Sequence, residues 1–385
     1  MKSFGARAAG KRLERMRASA QWVEASATSS PGFRNRGPIR SGLRDTTAAR
    51  PTLTEFLCGG ERRVPSGELP LVDPREAWAR PIGRELRATW LGHSSVLIEI
   101  AGHQGTKRIL TDPVWGARAS PSRLAGPKRF HPMPVSLKQL PPLDAVIVSH
   151  DHYDHLCMAT VRELAHLQPA LPFVTSLGVG AHLELFGVAP ERITELDWWG
   201  AHELPGAGIR ITATPSQHFS GRGLKDRNAT LWSSFVIESE RERVFFSGDT
   251  GLTDQYAEIR QRFGNGQRPF DLVMLEVGAF HPSWGDIHLG PANALQAHAL
   301  LGGGALLPVH WSTFSLALHA WDEPAETLLS LAPSRGVQLV MPLLGEPTVA
   351  AQAEGVRPWW RGVGTRTPAP AEVLSWPKAL PFPLD

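Results

Sequence analysis

The stretch Ala145-Val146-Ile147-Val148-Ser149-His150-Asp151-His152-Tyr153-Asp154-His155 decides how this chain is read. An apolar run of strand length ends in three imidazoles and two carboxylates within six residues. A buried strand that stops in so many metal-competent groups is hard to explain as packing. Imidazole with carboxylate suits borderline divalent ions such as zinc. In an extended or tightly looped backbone His150 and His152 point to one side and can converge on one ion. Asp154 and His155, at the turn into the next helix, can then reach a second ion. The competing reading is a polar loop with Asp154 as helix N-cap. Capping requires a single such residue, and here there are five.

Three further residues of ligand type stand downstream, each after an apolar run of strand length. His218 follows Ile209–Thr214 in Pro215-Ser216-Gln217-His218, Asp249 follows Val244-Phe245-Phe246 in Ser247-Gly248-Asp249-Thr250-Gly251, and His310 follows Ala305–Val309. The glycines beside Asp249 are expected to let backbone come close to a bound ion. With 15 histidines in the chain one of these would mean little, but the ordered set is informative.

The H-x-H-x-D-H pattern with these followers resembles the metallo-β-lactamase superfamily of binuclear metallohydrolases. Several other segments narrow the likeness: Trp90-Leu91-Gly92-His93-Ser94-Ser95-Val96-Leu97-Ile98-Glu99, Thr111-Asp112-Pro113, Arg118–Ser122, Gly126–Phe130, Leu231–Phe235 and Gly278-Ala279-Phe280. Together they are similar to the N-acylphosphatidylethanolamine-hydrolysing phospholipase D family over roughly residues 85 to 345. Asp151 departs from the asparagine expected in the animal enzymes, at a position that is not a ligand.

The resemblance implies an αββα sandwich of two mixed sheets with outer helices, and two Zn2+ ions. It implies that His150, His152 and His218 hold the first ion, Asp154, His155 and His310 the second, and that Asp249 bridges them. Elementary chemistry agrees with that division. Three neutral imidazoles leave a position open for water, and zinc lowers the pKa of that water from 15.7 to about 7. A hydroxide shared by two cations then needs no serine or cysteine nucleophile. Asp154 and His288 are the candidate catalytic residues. His288, in Gly285-Asp286-Ile287-His288-Leu289-Gly290, precedes a helix and stands where the resembled family places an active-site histidine. Its expected role is to bind phosphate oxygens or protonate the leaving group. His93 and Asp112 are candidates to orient ligand imidazoles, with a turn or capping role as the alternative. Tyr153 is a candidate donor to substrate or a packing residue. Asp151 is read as a helix cap or an outer hydrogen-bond partner.

The function so implied is a two-zinc phosphodiesterase of phospholipase D type, acting on N-acyl phosphatidylethanolamine or a related phospholipid. Two alternatives stand beside it: a lactonase or other carboxylic ester or amide hydrolase, and a non-hydrolytic, membrane-associated regulatory protein. A diiron redox role is disfavoured because no flavin-binding domain is evident.

Composition sets outer bounds. The 385 residues are 42% hydrophobic and 20% charged, ordinary for a soluble globular protein with a sizeable core. Two cysteines, Cys58 and Cys157, argue against a disulfide framework, and Cys157 reads as a small buried apolar residue. No apolar run reaches the roughly 18 to 20 residues of a spanning helix, and the start has no apolar stretch of signal-peptide type. A cytoplasmic chain, peripheral on the membrane at most, is the expectation. Residues 1–50 hold 11 Lys/Arg against 3 Asp/Glu, so with a chain total of +3 the remainder carries −5.

That uneven charge organises the chain into a basic extension over residues 1–84, a catalytic domain over 85–347 and a tail over 348–385. Residues 1 to about 24 are read as a helix with Leu13, Met16, Ala20 and Val23 on one stripe. It either lies on an anionic membrane, docks on the body or acts as a targeting presequence. Ala25 to Arg50 reads as linker or wrapping arm. No aromatic-and-basic module accompanies it, so nucleic acid is not an expected partner. In the body, strands are expected at 87–92, 95–101, 108–112, 144–149, 173–176, 193–196, 209–214, 233–239, 244–247, 272–276, 305–309 and 337–342. Helices are expected at 156–167, 179–186, 254–263, 291–301 and 323–331. The tail, with Trp359-Trp360, is read as irregular, packing on the body or serving a homodimer contact.

Overall fold

The computed structural model describes residues 2–26, 30–37, 62–83, 85–264, 270–281, 286–364 and 374–375. Two sheets face each other. The first contains β3 (Arg87–Gly92), β4 (Ser95–Ala101), β5 (Thr106–Thr111), β6 (Ala145–Val148), β7 (Phe173–Ser176) and β8 (Ile193–Leu196), with β15 (Pro347–Val349) added at the edge in the order 15-3-4-5-6-7-8. The second contains β9 (Ala201–Leu204), β10 (Ile209–Thr214), β11 (Ser234–Glu238), β12 (Arg243–Phe246), β13 (Leu272–Glu276) and β14 (Ala305–Val309), in the order 14-13-12-11-10-9. Each sheet is antiparallel on one side and parallel on the other, so the expected sandwich of two mixed sheets is present.

The runs are apolar on both faces because both faces are covered. In β6, Ala145 and Ile147 enter the cluster between the sheets, together with Ile98, Ile211, Phe235 and Met274. Val146 and Val148 point the other way, onto Val161 and Leu164 of the helix Met158–Leu167. The helices Gln255–Gly264, Gly290–Leu301 and Glu323–Leu331 serve the second sheet. Trp90 and Trp311 stack at 5.2 Å, and Trp359 and Trp360 of the tail pack against Trp311, both buried.

Two expected elements are corrected. Residues 337–342 are not a strand. Leu339 forms a single bridge to Leu306, and Pro342, without an N–H, cannot extend a ladder. Residues 1–24 are not one helix. The α-helix is Gly10–Arg17, because Gly5 and Gly10 take left-handed φ of 85° and 53° and interrupt it. Of its expected stripe Met16 is buried, while Ala20 and Val23 are exposed. Strands β9 and β15 were not anticipated.

The described part of the extension lies on the body. Arg12 pairs with Glu184 at 2.6 Å and with Glu195 at 2.7 Å, and Arg15 also reaches Glu195 at 2.7 Å. A short antiparallel pair, β1 (Trp22–Val23) and β2 (Gly32–Phe33), follows. Phe33 is fully buried with Met16, Leu177, Trp198, Leu231 and Trp232. Most of the expected linker, and Cys58, fall outside the described residues. Cys157 is half-buried rather than buried. Among the described residues no helix is long and apolar enough to cross a membrane.

Candidate metal centre

Strand ends supply the site. His150, His152, Asp154 and His155 lie in the loop after β6, His218 after β10, Asp249 after β12 and His310 after β14. The structure brings all seven together in two groups. In one, His150, His152, His218 and Asp249 each offer a ligand atom within 4.8 Å of the others; in the second, His93, Asp154, His155 and His310 do the same. Asp249 joins them. Its Oδ2 lies 3.8 Å from His150 Nε2 and 3.7 Å from His218 Nε2, while its Oδ1 lies 3.1 Å from His155 Nε2 and 3.2 Å from His310 Nε2.

The chemistry of these donors fits divalent cations. Asp249 Oδ1, His155 Nε2 and His310 Nε2 are buried and make no hydrogen bond of acceptable geometry. Native interiors rarely leave such atoms unpartnered unless something else engages them. On His155, His218 and His150 the Nδ1 is engaged by protein, which fixes the tautomers of these three. His155 Nδ1–H donates to Asp112 Oδ2 at 2.6 Å, and His218 Nδ1–H donates to the Ile287 carbonyl at 2.9 Å. His150 Nδ1 meets Ser149 Oγ at 2.9 Å, and that hydroxyl donates to Asp112 Oδ2 at 2.6 Å. Asp112 also accepts the Ser149 N–H at 2.7 Å. One buried carboxylate therefore orients two imidazoles, as outer partners of metal-binding histidines do.

Electrostatics divide the groups. Burial depresses His150 and His218 well below the usual histidine range and lowers His152, so this trio is neutral. Burial would do the same to His155 and His310, but Asp249 with Asp154 outweighs it. His155 is raised well above its ordinary value and His310 is pushed up to about 10. Burial opposes ionisation of Asp154 and Asp249, yet the neighbouring histidines, His155 first, hold both well below the ordinary carboxylate range.

Backbone strain marks the same place. His93, Asp112 and His310 take left-handed φ of 53°, 32° and 65°. Each costs on the order of 1–3 kcal/mol for a non-glycine residue, a cost that concentrates at functional sites.

The other expected residues have specific positions. His93 Nε2–H donates to Asp154 Oδ2 at 3.0 Å, and burial drops its pKa to about 3. Tyr153 is not among the converging groups; its hydroxyl donates to the Arg222 carbonyl at 2.7 Å under a guanidinium stacked 4.0 Å from the ring centroid. Asp154 does not cap the following helix, whose N-cap is Cys157 without a side-chain bond. Nor does Asp151, which accepts the Gly221 N–H at 2.8 Å and faces His182 Nε2 at 3.4 Å. The glycines around Asp249 admit close approach of neighbouring protein. A Cβ on Gly248 would stand 2.7 Å from Ser149 Cβ, and one on Gly251 would collide with the Asp286 carbonyl.

Two residues had no assigned role. Glu276 ends β13, fully buried, and forms a third ligand-competent group with Asp249 and His288. It accepts His288 Nδ1–H at 3.1 Å and the Leu289 N–H at 3.0 Å. Burial would lower His288, but Glu276 outweighs it and raises it. The signal was available, since Glu276 closes an apolar strand as the other site residues do. Asn35 touches the backbone of His218 from the extension, and no local pattern marked it.

The profile of the beta-lactamase superfamily domain matches residues 107–311, more than half of the chain. The chain belongs to the metallo-β-lactamase superfamily of hydrolases. Among its relatives, an uncharacterized protein of Mycobacterium tuberculosis is 41% identical over 352 residues, covering 89% of this chain and 91% of the relative. The N-acyl-phosphatidylethanolamine-hydrolyzing phospholipase D 1 of Caenorhabditis elegans is 37% identical over 259 residues, covering 65% of this chain and 70% of that protein. The crystal structure of an isothiocyanate hydrolase from Delia radicum gut bacteria shares the fold at a TM-score of 0.53 and 20% identity, covering 68% of this chain and 98% of that one. The superfamily fold thus accounts for both sheets, and the strand ends of this member carry groups that could bind metal.

Proposed function

We propose that this chain is a two-zinc phosphodiesterase of phospholipase D type, acting on N-acyl phosphatidylethanolamine or a related phospholipid. The observation that carries the reading is Asp249, one carboxylate with an oxygen turned to each of two ligand groups, beside a His288 hydrogen-bonded to the buried Glu276. His150, His152 and His218 with Asp249 would hold one cation, and Asp154, His155 and His310 with Asp249 the other. When bound, such a pair supplies Lewis acidity, neutralises phosphate charge and activates water.

The chain's own groups do the rest. Asp112, Ser149 and Ile287 keep three imidazoles turned so that one nitrogen of each faces inward. His93 holds Asp154 in place. His288 keeps its proton through Glu276, so an N–H stands ready for a phosphoryl oxygen or for the departing alkoxide as the P–O bond breaks. Glu276, fully buried, keeps the ring fixed. The relationship to a protein named for hydrolysing N-acyl phosphatidylethanolamine supports the substrate class.

The test is turnover by the zinc-loaded protein on vesicles containing N-acyl phosphatidylethanolamine and, separately, on lactones. Release of phosphatidic acid without lactone opening is expected. Lactone opening with intact phospholipid would replace the proposal with a carboxylic ester hydrolase.

A further inference from the structure

We infer that Asn35, on the N-terminal extension, is a positioning residue of the metal centre that holds His218 by its backbone. The inference rests on His218 being a metal ligand. Asn35 Nδ2–H donates to the His218 carbonyl at 2.8 Å, and the His218 N–H donates to Asn35 Oδ1 at 3.1 Å. One primary amide thus satisfies both backbone groups of a residue 183 positions away. The His218 ring is fixed separately, through Nδ1–H to Ile287. Main chain and side chain are held by different segments, and Nε2 is left facing His152 Nδ1 at 3.2 Å.

The surroundings deliver Asn35 to this spot. Phe33, two residues earlier, is buried edge-on against Trp22 at 5.2 Å, and its N–H donates to the Asn228 carbonyl at 2.8 Å. Gly32 is small where a Cβ would lie 2.5 Å from that carbonyl. Arg36, one residue later, pairs with Glu258 at 2.5 Å. Trp232 Nε1–H also donates to Asn35 Oδ1 at 3.2 Å, which sets which end of the amide faces the His218 N–H. Few side chains can do this. Alanine leaves both backbone groups of His218 without the amide. Aspartate keeps the acceptor, loses the donor and sets an oxygen against the His218 carbonyl. The loop Pro215–His218 is otherwise fastened to Asp249's loop, through Ser216 Oγ to the Asp249 carbonyl at 2.7 Å and Gln217 N–H to Thr250 Oγ1 at 3.1 Å. Asn35 is what ties His218 to the extension.

The experiment measures zinc affinity of the full chain by competition with a chromogenic chelator, alongside melting temperatures of metal-free and zinc-loaded protein. Asn35→Ala should weaken zinc binding by about 10- to 100-fold, the range for removing an outer partner of a ligand, and Asn35→Asp should fall between it and the unsubstituted protein. The melting-temperature gain on loading should shrink. Asn35→Ala affinity within about twofold of the unsubstituted chain, or equal lowering of both melting temperatures with affinity kept, overturns the inference. If Asn35→Ala does not fold, Asn35→Asp alone decides it by the same affinity criterion. Failure of the unsubstituted chain to take up zinc overturns the metal centre itself and the inference with it.

Discussion

The two ligand groups sit side by side yet differ in charge. The group of His150, His152 and His218 is held neutral by burial, whereas His155 and His310 are raised by Asp154 and Asp249. In the first, burial disfavours protonated imidazoles, and His150 Nε2 and His218 Nε2 face His152 Nδ1 at 2.8 and 3.2 Å. In the second, the carboxylates favour protonated imidazoles, so an entering cation would have to displace those protons. Similar ligand types, several of them on one loop, therefore acquire different proton chemistry from where the carboxylates fall.

The largest test removes the link. Asp249→Ala should cost both groups their shared carboxylate, so metal content by elemental analysis should fall from two ions per chain to one or none and hydrolysis should be lost. Retention of two ions would break the picture of a shared ligand. Next comes His288→Gln, expected to lower kcat by about 10²- to 10⁴-fold, the usual range for a positioned acid, with both ions kept. Its pH profile checks the role. Glu276 raises His288, so activity that needs the proton is present at lower pH and lost as pH rises through that raised value. The variant should lack this decline. Asp112→Asn touches both groups, through His155 directly and His150 by way of Ser149. A loss of roughly 10- to 100-fold in metal affinity is expected, larger at the group containing His155. Smallest per step is the effect of pH on loading. Affinity at the second group should fall about tenfold per pH unit for each proton displaced as pH is lowered, and less steeply at the first. Parallel pH slopes in calorimetric titration would erase the distinction between the groups.

Much of this was legible because the fold places chemistry at the ends of apolar runs. His150, His218, Asp249 and His310 each follow a strand, and a reader needs only the run and the residue that stops it. Glu276 obeys the same rule but sits inside the expected strand and was passed over as part of it. Asn35 obeys no such rule. Its partner is far along the chain, and its neighbours read as a polar arm, so only tertiary structure reveals the contact. Residues 337–342 misled in the opposite way: they are apolar enough for a strand, but Pro342 stops the ladder after Leu339 bridges Leu306. The left-handed backbone at His93, Asp112 and His310 was also invisible, since side-chain type does not announce a φ that costs energy.

The spacing of the proposed ligands has a consequence for how the protein is born. Emerging from the ribosome, the chain has made all four side chains of the first group once Asp249 is out, while the second still lacks His310. Asn35 is synthesised long before the histidine it secures. A nascent polypeptide halted between residues 249 and 310 would carry every side chain of one group and an incomplete set of the other.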